Sequence, residues 1–295
     1  MDAAFLIELA ANGALTGLLY SLFAIGLVLI YKSSSVPNLA QGGLTMVAAY
    51  FVLAFVEQLG LPLWLSIIAA VIVMFFLGML IERVALRPLA GRPIVMILMM
   101  TMGLDIFMHG TTLAIWGATS RPMNLGVSYD PLFLGPILLS RVNLVGASVA
   151  VVLFVAFLLF FRTRLGVRLR AVSDDYVASW SVGISVERAV AISWALASVV
   201  AVAAGVIWGE IQSVDQSLSL LLLKGLTVAV LGGLDSIVGA IIAGILLGIV
   251  ENIGSSYIDP MVGGGSRDLV VAAVLILTVL LRPHGLLGRH DIERI

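Results

Sequence analysis

The sequence predicts an all-α, polytopic helical membrane protein with about nine transmembrane spans (range about 8–10), on three observations. Of 295 residues, 61% are hydrophobic and only 11% charged, more apolar surface than one soluble core can hide. The apolar residues come in successive runs close to the ~20 residues that cross about 30 Å of hydrocarbon. Lys and Arg concentrate in the short segments between the runs.

The first span is expected near residues 5–31. The first 31 residues contain Asp2 and Glu8 but no Lys or Arg, whereas a cleavable signal needs a basic front end, so the run is expected to stay in the protein. Gly13 and Gly17 set a small-residue pattern that lets another helix approach closely. The sequence Ser33-Ser-Ser-Val-Pro-Asn-Leu-Ala-Gln-Gly-Gly43 then ends this span at Pro37 and opens the next, near 39–57, with Asn38 as the expected N-cap. Asn38, Gln41 and Thr45 share one helical face, which suits either polar contacts between helices or the lining of a water-filled path.

Further spans are expected near 62–82 and 94–116. The second of these carries a polar stripe of Thr101, Asp105, His109 and Thr112. A charge deep in a span is costly and is a functional candidate by default. Asp105 is therefore read either as part of a proton or substrate relay with His109, or as half of a structural pair with His109 or Lys224. A loop at 118–140 with Pro122, Pro131 and Pro136 leads to a span near 141–161. The segment 162–188 is the longest charged stretch of the chain. Spans near 188–209, 217–232, 236–256 and 268–282 complete the series. Paired glycines at Leu231-Gly-Gly-Leu-Asp-Ser236 stop one of them, and Asp235 or Ser236 is expected to cap the next. That next span carries Gly244 and Gly248 at helix-packing spacing, and Glu251 and Asn252 near its outer end. Gly263-Gly-Gly265 reads as a turn.

Charge distribution orients the chain. One side collects Lys32, Arg83, Arg87, Arg92, Arg162, Arg164, Arg168, Arg170, Arg188, Arg282, Arg289 and Arg294, whereas Arg121, Arg141 and Arg267 lie on the other and Lys224 within a span. The rich side is expected to be cytoplasmic, with the N-terminus outside and the C-terminus inside. No soluble domain fits between the spans, so residues 1–295 are expected to form a single transmembrane domain with a cytoplasmic segment at 162–188. A net charge of −1 argues against a nucleic-acid partner. Without cysteine there is no thiol nucleophile or Cys-based metal site, and no His-Glu-x-x-His pair or phosphate-binding Gly-x-x-x-x-Gly-Lys loop occurs. No catalytic, cofactor-binding or metal residue is therefore expected. Transport remains, powered from outside the chain.

Several ordered motifs carry a resemblance. They are Asn12-Gly-Ala-Leu-Thr-Gly17 continuing to Tyr31, Asn38-Leu-Ala-Gln-Gly-Gly43, Glu82-Arg-Val-Ala-Leu-Arg-Pro-Leu-Ala-Gly-Arg-Pro93, Thr101-Met-Gly-Leu104, Leu231-Gly-Gly-Leu-Asp-Ser236 onward to Glu251, and Leu281-Arg-Pro-His-Gly-Leu-Leu-Gly288. Together they resemble the LivH-type permeases of branched-chain amino-acid (HAAT-like) ABC importers over nearly the whole chain. The resemblance implies a type II ABC-importer-like permease in a bacterial or archaeal cytoplasmic membrane. It implies a second, LivM-like permease subunit, two cytoplasmic ATP-binding subunits that hold ATP and Mg, and a periplasmic binding protein that delivers a small solute. No cofactor is implied in this chain. The family pattern Asn-Phe-Ala-His-Gly-Glu stands here as Asn38-Leu39-Ala40-Gln41-Gly42-Gly43, without the histidine and the acid that could handle an ammonium group. A branched-chain or other amino acid is the implied solute, with urea, an amide or an aromatic acid as alternatives. Asn12, Thr16, Asn38, Gln41, Thr45, Thr101, Asp105 and His109 are the candidate path residues.

In that family context the 162–188 segment becomes the expected coupling element. Ser173 is read as N-cap, with Asp174 and Asp175 in the first turn where negative charge suits the helix dipole, and Gly183 as the stop. A short helix over 174–182 then presents Tyr176 and Trp180, four apart, to an ATPase groove. The alternative from another class is a gradient-driven secondary transporter or channel with Asp105 and His109 as relay.

Overall fold

A computed structural model describes residues 3–288 except Pro136, Asp175 and Pro283. Helices occupy each expected apolar run. In chain order they are α1 (Ala3–Ser34), α2 (Gln41–Glu57), α3 (Leu63–Ile81), α4 (Ile94–Trp116) and α5 (Arg141–Phe160), then the short α6 (Arg164–Asp174) and α7 (Tyr176–Ser181), and finally α8 (Val186–Gln212), α9 (Leu221–Gly232), α10 (Ile237–Val262) and α11 (Ser266–Leu281). Among the described residues six helices, α1, α3, α4, α5, α8 and α10, are long and apolar enough to cross a membrane. α2, α9 and α11 are shorter, at 17, 12 and 16 residues. The 118–140 loop adds a small antiparallel hairpin, β1 (Leu132–Leu134) with β2 (Ile137–Leu139), pairing Leu132 with Leu139.

The described residues group into two compact units. One comprises residues 29–125 and 152–222, the other 1–28, 126–151 and 223–295. In the first unit α2 is the core element, buried along almost its whole length. Helices of this unit come close to one another at glycines. A Cβ on Gly205 of α8 would stand 2.6 Å from the Thr45 carbonyl oxygen, and one on Gly78 of α3 would stand 2.6 Å from the Trp194 carbonyl oxygen. Helix association in lipid depends on such contact, because the surrounding hydrocarbon is as apolar as the side chains.

In the second unit the two small-residue motifs meet each other. A Cβ on Gly13 would lie 2.6 Å from the Gly248 carbonyl oxygen, and one on Gly244 would lie 2.6 Å from the Gly17 carbonyl oxygen. Ser21 seals the same seam, its Oγ donating to the Ala240 carbonyl at 3.1 Å. Two motifs far apart in sequence also come together. The Leu286 and Leu287 N–H groups donate to the Leu231 and Gly232 carbonyls at 2.7 and 3.1 Å, so the tail after α11 satisfies carbonyls freed where the paired glycines end α9. Gly233 takes the left-handed φ of +102°, and Ser236 caps α10 by accepting from the Gly239 N–H at 2.9 Å.

Three expectations about helix ends need correction. α2 starts at Gln41 with Ala40 at the cap position, and Asn38 instead accepts from the Ala40 N–H at 3.0 Å in a turn. α10 continues past residue 256 to Val262. Ser173 lies inside the last turn of α6 and does not open a helix, because the arginine-rich stretch is itself helical. Leu169 and Val172, three apart, are buried while Arg168 and Arg170 sit on other faces, the spacing of an amphipathic surface helix.

Candidate functional site

The predicted path residues fall into two groups, one in each unit. In the first unit Asn38, Gln41 and Thr45 are fully buried and engaged. The Asn38 amide donates to Gln41 Oε1 at 3.4 Å, and Gln41 Nε2 donates to the Ala197 carbonyl of α8 at 3.2 Å. Thr45 Oγ1 donates back to the Gln41 carbonyl at 2.9 Å. Thr101 of α4 accepts from the Leu39 N–H at 3.4 Å. One turn further, Asp105 Oδ1 accepts from the Gly43 N–H at 2.9 Å. Glycine at 43 leaves room for this contact, since a Cβ there would stand 2.6 Å from that carboxylate oxygen and push the side chain away. Asp105 thereby satisfies one of the orphan N–H groups of the first turn of α2, and a negative charge belongs there. His109 Nε2 lies 3.7 Å from Asp105 Oδ2, and its Nδ1 is 3.3 Å from Gln216 Oε1. Within the α4 stripe, Thr101 and Asp105 thus contact the start of α2, while His109 reaches Asp105 and Gln216.

Asn38 and Thr101 border a cavity of about 470 Å³ in the same unit, together with Pro37, Glu82, Arg92 and Trp194. Arg87 stands at its edge, 3.3 Å from Glu82 and 3.0 Å from Glu187, and so ties the end of α3 to the start of α8. A π-helical turn at Glu82–Leu86 continues α3 to this point and sets the arginine one register off the regular helix.

The other two path residues, Asn12 and Thr16, belong to the second unit. Asn12 donates to the Leu138 carbonyl at 2.7 Å and accepts from the Ser140 N–H at 3.2 Å, pinning the hairpin to α1. Thr16 accepts from the Asn143 amide at 3.2 Å. Beneath them lies an ion-pair cluster that corrects one expectation. Lys224 pairs with Glu251 at 2.8 Å and Asp268 at 3.3 Å, not with Asp105. Glu251 is itself buried, only 3% exposed. Lys224 also donates to the Tyr20 hydroxyl at 3.2 Å, which donates to the same Glu251 oxygen at 3.2 Å. Sequence spacing could not show this, since the four groups stand on α9, α1, α10 and α11. The only local signal was the two charges inside apolar runs.

On the 162–188 segment Arg170 Nη2 donates to the Phe161 carbonyl at 2.8 Å, holding α6 against the end of α5. α7 follows, shorter than the 174–182 helix expected, and Gly183 ends it in the left-handed conformation at φ +80°. Trp180 and Val182 are 72% and 73% exposed, apolar surface on the rim of a charged segment. Asp175 lies outside the described residues, as do the side chains of Ser173, Asp174 and Tyr176.

Long apolar helices packed through glycine seams, with charges paired inside them, define a multi-pass membrane protein. The particular kind follows from comparison with known proteins. Residues 9–280 match the family model described as branched-chain amino acid transport system / permease component, and the chain belongs to that family. It is 30% identical to the high-affinity branched-chain amino acid transport system permease protein LivH of Salmonella typhimurium, over 96% of each chain. It is 29% identical to the permease protein BraD of Pseudomonas aeruginosa, again over 96% of each. One solved structure, PsaBC from Streptococcus pneumoniae in complex with Fab, aligns over 93% of this chain and 92% of that one with a TM-score of 0.48 at 15% identity. The chain is accordingly a membrane-spanning permease subunit, a transport component.

Proposed function

We propose that the chain is one of two permease subunits of an ATP-driven importer, and that α6 and α7 are where a cytoplasmic ATPase grips it. The observation that carries this is the exposed Trp180 edge on a short helical segment placed between the spanning helices α5 and α8, in a chain whose sequence contains no phosphate-binding loop of its own. A lone Trp exposed at such a junction suits an anchor in a partner's groove, since aromatic residues are enriched at interface cores. A second, LivM-like permease, two ATPases holding ATP and Mg, and a periplasmic binding protein complete the machine. The solute is a branched-chain or other small amino acid. α2, α9 and α11 join the six long helices to give nine membrane-embedded segments, with the arginine-rich side cytoplasmic. Changing Tyr176 and Trp180 together to Ala is expected to reduce solute uptake in proteoliposomes by about tenfold or more, the loss of ~1.4 kcal/mol or more of coupling, while the protein keeps its melting temperature and the ATPases still hydrolyse ATP. Uptake at the unaltered rate would refute the coupling role.

A second reading, gradient-driven transport, is supported by the Asp105–His109 contact at 3.7 Å, with both side chains about a quarter exposed (25% and 26%). The fate of Asp105→Asn separates the two.

A further inference from the structure

The unit built from residues 1–28, 126–151 and 223–295 contains a polar cavity of about 180 Å³, lined by Thr16, Tyr20, Asn143, Glu251, Asn252 and Arg267 among others. We propose that it binds the zwitterionic head of an α-amino acid, the ammonium group against Glu251 and the carboxylate against Arg267. This rests on the importer reading above and gives the solute a site within this chain.

Charge, unfilled bonding capacity and size support it. The positive Lys224 and Arg267 and the negative Glu251 and Asp268 balance, so the cluster favours a neutral, dipolar occupant over an ion of either sign. Glu251 is 97% buried by its 3% exposure, yet only Oε1 is used, by Lys224 and Tyr20, while Oε2 has no hydrogen-bond partner. Buried carboxylate oxygens are ordinarily bonded, and an ammonium donor supplies what this one lacks. Arg267 stands at the exposed start of α11 and carries a planar fork of donors that matches a carboxylate in bidentate fashion. Thr16 and Asn143 are bonded to each other, so they shape the wall. At ~30 Å³ per water the cavity holds about six waters, far below the ~300 Å³ at which drug-sized pockets begin. That is room for the ammonium, Cα and carboxylate of an amino acid, with the side chain left outside, so the site reads the head and tolerates different side chains.

The test is equilibrium binding of radiolabelled L-leucine to the complete transporter in nanodiscs without its binding protein. Leucinamide, which lacks the carboxylate, and 4-methylpentanoate, which lacks the ammonium, serve as competitors beside L-alanine. Saturable leucine binding is expected, with L-alanine competing comparably and both single-headed analogues at least about tenfold weaker, a gap of ~1.4 kcal/mol. Arg267→Gln should abolish the discrimination against leucinamide, and Glu251→Gln that against 4-methylpentanoate. Arg267 is at the surface, so its variant decides the matter even if the Glu251 variant fails to fold. Absence of leucine binding, or unaltered selectivity in Arg267→Gln, would overturn the site. ATP-dependent uptake in the same preparations keeps the importer reading separate: uptake that depends on ATP while selectivity is unaltered overturns the site alone, and unaltered protein lacking ATP dependence overturns the reading beneath it.

Discussion

Asp105 illustrates how a single charge within a membrane helix can be structural in one mechanism and catalytic of proton movement in another. Its carboxylate holds the first turn of α2 through the Gly43 N–H, 2.9 Å away. Asn retains an acceptor oxygen at that place, whereas a relay needs a group that titrates. In an ATP-driven importer Asp105→Asn is therefore expected to keep uptake within about fivefold of the unaltered rate, since a neutral hydrogen bond differs from a charged one by only ~1 kcal/mol in net effect. The check is an initial-rate assay with and without a proton gradient, and an abolished rate would favour the gradient-driven reading. At this scale the sequence was partly legible. The shared faces of Gln41 with Thr45 and of Thr101 with Asp105 follow from helical spacing, and the structure places them as spacing requires. The partners of Lys224 were not legible, because Tyr20, Glu251 and Asp268 reach it from three other helices and no local period records that meeting.

At the scale of elements, apolar runs located the helices and glycine spacing marked the seam, since both depend only on local composition and period. Gly13 and Gly17 face Gly244 and Gly248 across α1 and α10, and a side chain cannot be added there without parting the backbones. Gly17→Leu is expected to lower stability by roughly 1–3 kcal/mol, the usual cost of overpacking, and this is measurable as a drop in melting temperature in detergent. An unchanged melting temperature would mean that the seam is not close-packed. The short helices α6 and α7 were harder to bound. A serine followed by two acidic residues has the composition of a helix start, yet the Leu169 and Val172 contacts on the buried side extend α6 through Ser173. Tertiary burial outweighs a cap preference worth ~1 kcal/mol. The hairpin in the 118–140 loop was also hidden, since three-residue strands carry too little alternation to stand out.

For the whole molecule, the charge bias carries the proposed orientation, and the chain's own lack of cysteine makes that orientation directly testable. Ser128→Cys, in the loop expected outside, should react with a membrane-impermeant maleimide on right-side-out vesicles, and Thr163→Cys, expected inside, should react only after permeabilisation. The reverse pattern would invert the topology. The proposed mechanism belongs to this scale too, because it has the permease work only with subunits that energise it and a protein that loads it. Reconstitution of the complete transporter into proteoliposomes tests that account most directly. Solute uptake is expected to require ATP, both ATPases and the binding protein, and to stop when any one is omitted. Uptake by this chain alone, driven by a proton or solute gradient, would contradict it.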